Sequence, residues 1–337
     1  MNYKNSNGKE NNMRQRSYRV IFMVTFFVFG LAITPGFAKQ WKLRSADVVE
    51  LASPYTVGMN KLAEMVKERT KGEVQISHFP GGQLGSDPAI VEGVKLGNID
   101  LAMVGTVVSK ATEAFYLPFV FKDVEHQRRV VGGPIGEKVA KRFEDETGLK
   151  LIGMVYFAPR QLTTTRREVR SPEDVRGLKI RVPLMPPMVA TWKAMGASPT
   201  PIAFTELFTA LQQGVVEAQE NPFQIIHDSS LFEVQKYVIE TNHAIPVRFL
   251  IMNRDLWKDL ADANQKVVMG AWKETALFIE KMYMDKEEEY KRKLKDKGMV
   301  FIKPDVAAFR KATENVWKDF TPQAWGPGTY EEIQKLR

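Results

Sequence analysis

Ser171-Pro-Glu-Asp-Val-Arg-Gly-Leu-Lys-Ile-Arg-Val-Pro183 contains a short strand, Leu178 to Val182. Side chains alternate across a strand, so Leu178, Ile180 and Val182 share one face while Lys179 and Arg181 share the other. Arg181 thus stands near the carboxyl end of a strand, either as a surface charge or as the anchor of a pocket. Outward from it, strand and helix patterns alternate. Upstream, Trp41 to Val49 reads as a strand and Thr56 to Lys71 as a helix, with Met59, Leu62, Ala63 and Val66 at i, i+3, i+4 and i+7 and Gly72 suited to a left-handed cap. Glu73 to Phe79 is a strand, Pro80 to Gly85 a turn, Asp87 to Lys95 a helix and Ile99 to Val104 a strand. Downstream come helices at Pro187 to Met195 and Thr205 to Gln213, then strands near Val216 to Gln219, Glu233 to Asn242 and Ile245 to Asn253. Ala263 to Lys297 reads as one long helix carrying Val267, Ala271, Leu277, Tyr283 and Leu294, its KEEEYKRKLKDK run a solvated face. The pattern is α/β with a largely parallel sheet in each of two units. Ligands of such folds bind beyond the carboxyl ends of strands and between domains, so the region between the two units is the place to look.

The N-terminus reads as an export signal. Arg14, Arg16 and Arg19 precede an apolar run from Val20 to Ile33, and the small-residue site Gly36-Phe37-Ala38 follows. That run rises only about 21 Å as a helix, short of a bilayer core. Cleavage after Ala38 is the expectation, with Met13 as an alternative start. It would remove five basic residues and one acidic one, so the formal charge of +8 falls to +4. The remaining charges are mixed along the chain, unlike the clustered basic footprint of nucleic-acid binding, which is set aside. The absence of cysteine excludes disulfides, thiolate catalysis and Cys-ligated metals.

Catalytic signatures are missing. There is no G-x-S-x-G elbow, no H-E-x-x-H, no Walker loop and no G-x-G-x-x-G, and Gly81, Gly82 and Gly85 read as a turn. The four histidines, His78, His126, His227 and His243, stand far apart and show no metal-ligand spacing. No cofactor, metal or enzymatic activity is expected.

Seven ordered segments carry a family likeness: Phe79-Pro-Gly-Gly-Gln-Leu-Gly-Ser-Asp87, Leu117-Pro-Phe119, Ser171 to Pro183, Gly196-Ala-Ser-Pro-Thr-Pro201, Phe204 to Gly214, Gln219-Glu-Asn-Pro222, and Glu233 to Tyr237 with Thr241-Asn-His243. Together, across about Lys42 to Phe320, they resemble the substrate-binding proteins of tripartite ATP-independent periplasmic (TRAP) transporters, the DctP family. The resemblance implies an α/β, two-lobed periplasmic-binding-protein fold with a central cleft, hinge strands and a long helix spanning both lobes. The expected division is 39–158 with about 247–286 for the first lobe, and 159–246 with about 287–337 for the second. It also implies a periplasmic receptor that takes a small organic carboxylate, of the C4-dicarboxylate or sugar acid type, to the small and large membrane subunits of a transporter.

By the same resemblance Arg181 forms a salt bridge to the ligand carboxylate. A guanidinium suits that role because its fixed fork of donors matches a carboxylate and keeps its charge when desolvated. Arg160 would bond the same or a second anionic group, Asn221 would add an amide contact, Phe204 an aromatic wall and Asp87 a polar contact. Each has a plain structural alternative: Asn221 before Pro222 as a turn former, Phe204 as a core aromatic, Asp87 as a helix N-cap. Leu184 and Gly105 stand where sialic-acid-binding members carry hydrogen-bonding residues, which argues against a heavily hydroxylated nine-carbon acid. Three alternatives stay open: an aromatic or branched-chain oxo or hydroxy acid as ligand, a receptor feeding a sensor kinase, and a periplasmic enzyme acting on carboxylates.

Overall fold

Strands form where apolar and β-branched residues alternate or run together, and the computed structural model, which describes residues 39–107 and 109–336, places them in two sheets. In chain order they are β1 (Trp41–Ala46), β2 (Val74–Phe79), β3 (Leu101–Val104), β4 (Leu149–Tyr156), β5 (Gln161–Thr164), β6 (Lys179–Val182), β7 (Ser198–Pro201), β8 (Ala218–Asn221), β9 (Tyr237–Ile239), β10 (Val247–Asn253) and β11 (Val300–Ile302). The first sheet runs β2-β1-β3-β10-β4 and the second β11-β9-β5-β8-β6-β7. In the first, β1 is parallel to β2 and β3, while β10 runs antiparallel between β3 and β4. In the second, β6 is parallel to β7 and β8, and β5 is antiparallel to β8 and β9. The expected export signal, residues 1–38, lies outside the described residues. No helix among the described residues is long and apolar enough to cross a membrane.

The chain passes between the sheets at residues 157–160 and again at 240–246. The two passages are bonded side by side: Phe157 N donates to Pro246 O at 3.0 Å and Arg160 N to Ala244 O at 2.9 Å. A third passage is the helix Asp262–Asp296, 35 residues long and so about 52 Å from end to end. Its buried stripe is Asn264, Val268, Ala271, Trp272, Thr275, Ile279 and Tyr283. Leu277, one of the apolar residues the helix carries, is 59% exposed. A 3.6-residue period puts it opposite the Trp272–Ile279 face, a distinction that apolarity alone cannot make within a charge-rich helix.

Two glycines bed this helix. A Cβ at Gly153 in β4 would lie 1.9 Å from Trp272 Nε1, and one at Gly58, in the helix Pro54–Arg69, 2.4 Å from Ile279 Cγ1. Farther along, the Tyr283 hydroxyl donates to Gln224 Oε1 and the Tyr290 hydroxyl to Asp228 Oδ2, both partners in the helix Phe223–Asp228 beside the second sheet.

The C-terminal helices Trp317–Ala324 and Thr329–Lys335 depart from the expected division, which put them with the second sheet. They return to the first. Trp325 Nε1 donates to Ala111 O at 3.0 Å and its ring meets Phe115 at 5.2 Å, while His126 Nε2 bonds Ile333 O at 2.8 Å. The physical reason is the large apolar face of Trp325, which is 2% exposed and is buried there against Phe115.

Gly153→Ala drives a methyl group into Trp272 and should cost about 1–3 kcal/mol of stability by overpacking. Gly270→Ala in the same long helix meets nothing within 4 Å and should be neutral or stabilising by up to about 1 kcal/mol. Thermal melts of the two variants check the pair.

Candidate functional site

The ends of β1, β3, β6 and β8 open on one narrow cavity. Val48 and Val49 follow β1, Gly105 and Thr106 follow β3, and Pro183 follows β6. All five residues nominated from sequence, Arg181, Arg160, Asn221, Phe204 and Asp87, line it.

Arg181 sits on β6 between Ile180 and Val182 and is 2% exposed, whereas Lys179 on the same strand face is exposed. Its Nε donates to Ile202 O at 2.9 Å, and its guanidinium lies over the Phe204 ring at 6.0 Å. No acidic side chain forms an ion pair with it among the described residues. Burial, then the neighbouring Arg160 charge, pull its pKa down to about 10, against the distant pull of Glu220 and Asp87. A buried guanidinium without a carboxylate is costly, because desolvation is not offset by a partner.

Arg160 carries a partner that the sequence did not show. Its Nε donates to Glu220 Oε2, and its Nη2 to Glu220 Oε1 at 2.8 Å and Glu220 O at 2.6 Å. The arginine expected to bond the same or a second anionic group of the ligand thus also holds a carboxylate of the protein, while lining the cavity. Glu220 in turn meets His243 Nε2 at 3.1 Å, and His243 Nδ1 bonds Thr241 Oγ1 at 2.8 Å. Burial works against the Glu220 charge, but Arg160 and His243 outweigh it and hold the carboxyl below its ordinary range.

Asn221 ends β8, pairs across the sheet with Gln161 and donates Nδ2 to Gln219 Oε1 at 2.6 Å. It both shapes the strand end before Pro222 and faces the cavity. Phe204 opens a tight turn, Phe204–Glu206, that precedes the helix Leu207–Gln212, so the helix expected from Thr205 starts later. Its ring is half-buried and packs on apolar clusters of both sheets. Asp87 is not the N-cap; Ser86 occupies that position. Asp87 opens the first turn, and its Oδ2 accepts from Gly105 N at 3.2 Å. Burial pushes its carboxyl up, opposed by Arg248 and the Gly105 N–H.

Sequence reasoning missed Arg248 and Glu220. Arg248 is a lone cation inside the apolar strand Val247–Asn253, and that interruption was its signal. It is 3% exposed, donates Nη2 to Met103 O at 3.0 Å, and lies over the Tyr55 ring at 4.6 Å and the Phe157 ring at 5.7 Å. Gly105 makes room for it, since a Cβ there would stand 3.2 Å from Arg248 Nη1. Glu220 lay within the Gln219-Glu-Asn-Pro222 motif, but nothing local shows that Arg160 and His243 converge on it. Leu184, the other departure from the sialic-acid-binding members, is half-buried and does not line the cavity.

A family model described as bacterial extracellular solute-binding protein, family 7, the DctP family, matches residues 45–323. The chain belongs to this family. Among curated DctP proteins, the solute-binding protein RD1_1052 of Roseobacter denitrificans is 31% identical over 291 residues, covering 86% of this chain and 89% of the relative. A TRAP periplasmic solute-binding protein from a Polaromonas species, bound to D-erythronate, superimposes with TM-score 0.83 at 32% identity, covering 88% of this chain and 98% of that one. Another from Sulfurospirillum deleyianum, with bound succinate, gives TM-score 0.83 at 26% identity over 89% and 100% of the two chains. The two-sheet α/β architecture of this DctP chain is thus that of TRAP solute-binding proteins.

Removing one partner of the Arg160–Glu220 pair strands a buried charge, so Glu220→Gln should cost about 3–5 kcal/mol near neutral pH. The Glu220 carboxyl titrates lower folded than unfolded. Its stabilisation is therefore complete above about pH 4.3 and drains away as pH falls below that. Urea unfolding across pH 3–7 should show a wild-type advantage that shrinks in acid; an advantage independent of pH would contradict this role.

Proposed function

We propose that this DctP protein captures a small organic carboxylate in the cavity between its two sheets and hands it to the small and large membrane subunits of a TRAP transporter. The supporting observation is Arg181: a buried guanidinium aimed at a cavity, with no carboxylate of its own among the described residues. The ligand carboxylate supplies the missing partner. Phe204 covers one side, Asn221 adds an amide, and Arg160 with Glu220 forms a neutral floor. The chain binds without turnover, in the periplasm, after loss of a signal near Ala38.

The lobes of this reading are 39–158 with 247–286 and the C-terminal helices, and 159–246 with the strand β11. Ligand closes them because it contacts residues of both and has greater affinity for the closed state. The ligands bound by the Polaromonas and Sulfurospirillum relatives, a sugar acid and a C4-dicarboxylate, fit the same class. The apolar half of the cavity, Val48, Val49, Phe157 and Ile225, sustains a second reading in which the acid is branched or aromatic.

A thermal-shift screen of the purified protein against dicarboxylates, sugar acids and branched or aromatic acids tests this. Ligand at 100 times its Kd should stabilise by about 2.7 kcal/mol, and Arg181→Met should abolish the response. The same substitution should leave the ligand-free protein as stable as wild type or more so, because it removes an uncompensated buried charge. A variant that unfolds without ligand, or responds like wild type, would overturn the anchor.

A further inference from the structure

The cavity wall holds two polar atoms without a hydrogen bond, beside the Thr106 hydroxyl that helps hold the Asp87 charge. Asp87 Oδ1 and Arg248 Nε are both buried without a hydrogen-bond partner, and both residues line the cavity. They flank Gly105, whose missing Cβ would meet Arg248 Nη1 at 3.2 Å and Asp87 Oδ2 at 3.6 Å. Orphaned buried polar atoms are uncommon in folded proteins and each costs about 1–3 kcal/mol. This pair is one acceptor and one donor. A hydroxyl group is the small function that satisfies both, since it donates one hydrogen and accepts on its oxygen.

The charges of the wall point the same way. Three guanidiniums line the cavity, those of Arg160, Arg181 and Arg248. Arg160 is matched by Glu220 at 2.8 Å, and Arg248 stands beside the Asp87 carboxylate around Gly105. Arg181 alone is left over. Asp47, just behind Val48, does not line the cavity, and its carboxylate is taken up by His78 Nε2 at 3.0 Å, Thr56 Oγ1 at 3.3 Å and Val49 N at 3.0 Å. One unmatched positive charge calls for one ligand carboxylate. A second carboxylate would lie against Asp87, where like charges in a desolvated cavity repel.

Resting on the carboxylate-receptor reading above, we infer that the ligand is a hydroxylated monocarboxylate. Its carboxylate sits on Arg181, and one of its hydroxyls bridges Asp87 Oδ1 and Arg248 Nε. Asp87 and Arg248 are then the specificity-determining residues that admit a hydroxy acid and reject both its deoxy analogue and a diacid. A site built to bond a hydroxyl rejects the analogue lacking it because the wall atoms are left unpaired.

Calorimetric titration of the full chain with matched sets at each chain length from three to six carbons tests the inference. Each set comprises the hydroxy monoacids in all stereoisomers, the plain fatty acid and the α,ω-diacid; at four carbons these are erythronate and threonate, butanoate and succinate. The best hydroxy acid should bind about 10- to 100-fold more tightly than the fatty acid and the diacid of equal length. Asp87→Leu removes both the unpaired acceptor and the negative charge, so it should erase most of the hydroxyl advantage and improve the diacid relative to the fatty acid. Circular dichroism confirms that this variant is folded, and the wild-type comparison holds without it. If carboxylates bind but a diacid matches the best hydroxy acid, or the fatty acid comes within a few-fold, this inference fails while the receptor reading stands. If no carboxylate of any length binds, both fall.

Discussion

The buried contact between Arg160 and Glu220 organises the rest of the site. Arg160 lies in the first passage between the sheets, Glu220 near the end of β8, and His243, which also holds Glu220, in the second passage. One carboxylate thereby fastens both passages to the second sheet. Buried charges tolerate such a place only when each has its partner and the remaining lone pairs are bonded, and the Glu220 backbone carbonyl and the His243–Thr241 bond complete that condition. Because Arg160 is used in this way, the cavity's positive character comes to rest on Arg181.

That division of labour explains why two arginines of similar burial do different work. Arg160 is locked by three hydrogen bonds to one residue. Arg181 is oriented by a single bond from Nε to Ile202 O, which fixes the plane of the guanidinium and turns its other nitrogens toward the cavity. Local stability is given up at Arg181 and recovered elsewhere, in the aromatic packing of Tyr55, Phe157 and Tyr283 and in the bedding of the long helix.

Much of this was legible in the residues. Period-2 and period-3.6 patterns located most elements to within a few positions, because amphipathic segments must turn their apolar side inward whatever the fold. The strand carrying Arg181 and the turn before Asp87 could be found for the same reason. What stayed hidden was pairing at a distance. Arg160 and Glu220 are 60 residues apart, and Gly105 and Arg248 far more, so no local pattern joins them. The return of the C-terminal helices to the first sheet was equally hidden, since an amphipathic helix shows that it packs but not on what. Arg248 offered a cue in its apolar surroundings; the exposure of Leu277 offered none beyond helix phase.

The side-by-side passages at 157–160 and 240–246, with the long helix running beside them, have a mechanical consequence. Bodies joined at one point can swing and twist in three ways, but attachments spread along a line leave only rotation about that line. In the closure proposed above, the cleft then samples an arc rather than a volume. A ligand that closes it gives up the entropy of a single coordinate, and the walls meet in the same register each time. That is preorganisation achieved by connectivity rather than by rigid walls. By the function proposed above, it lets a narrow cavity with few contacts to offer retain a small molecule.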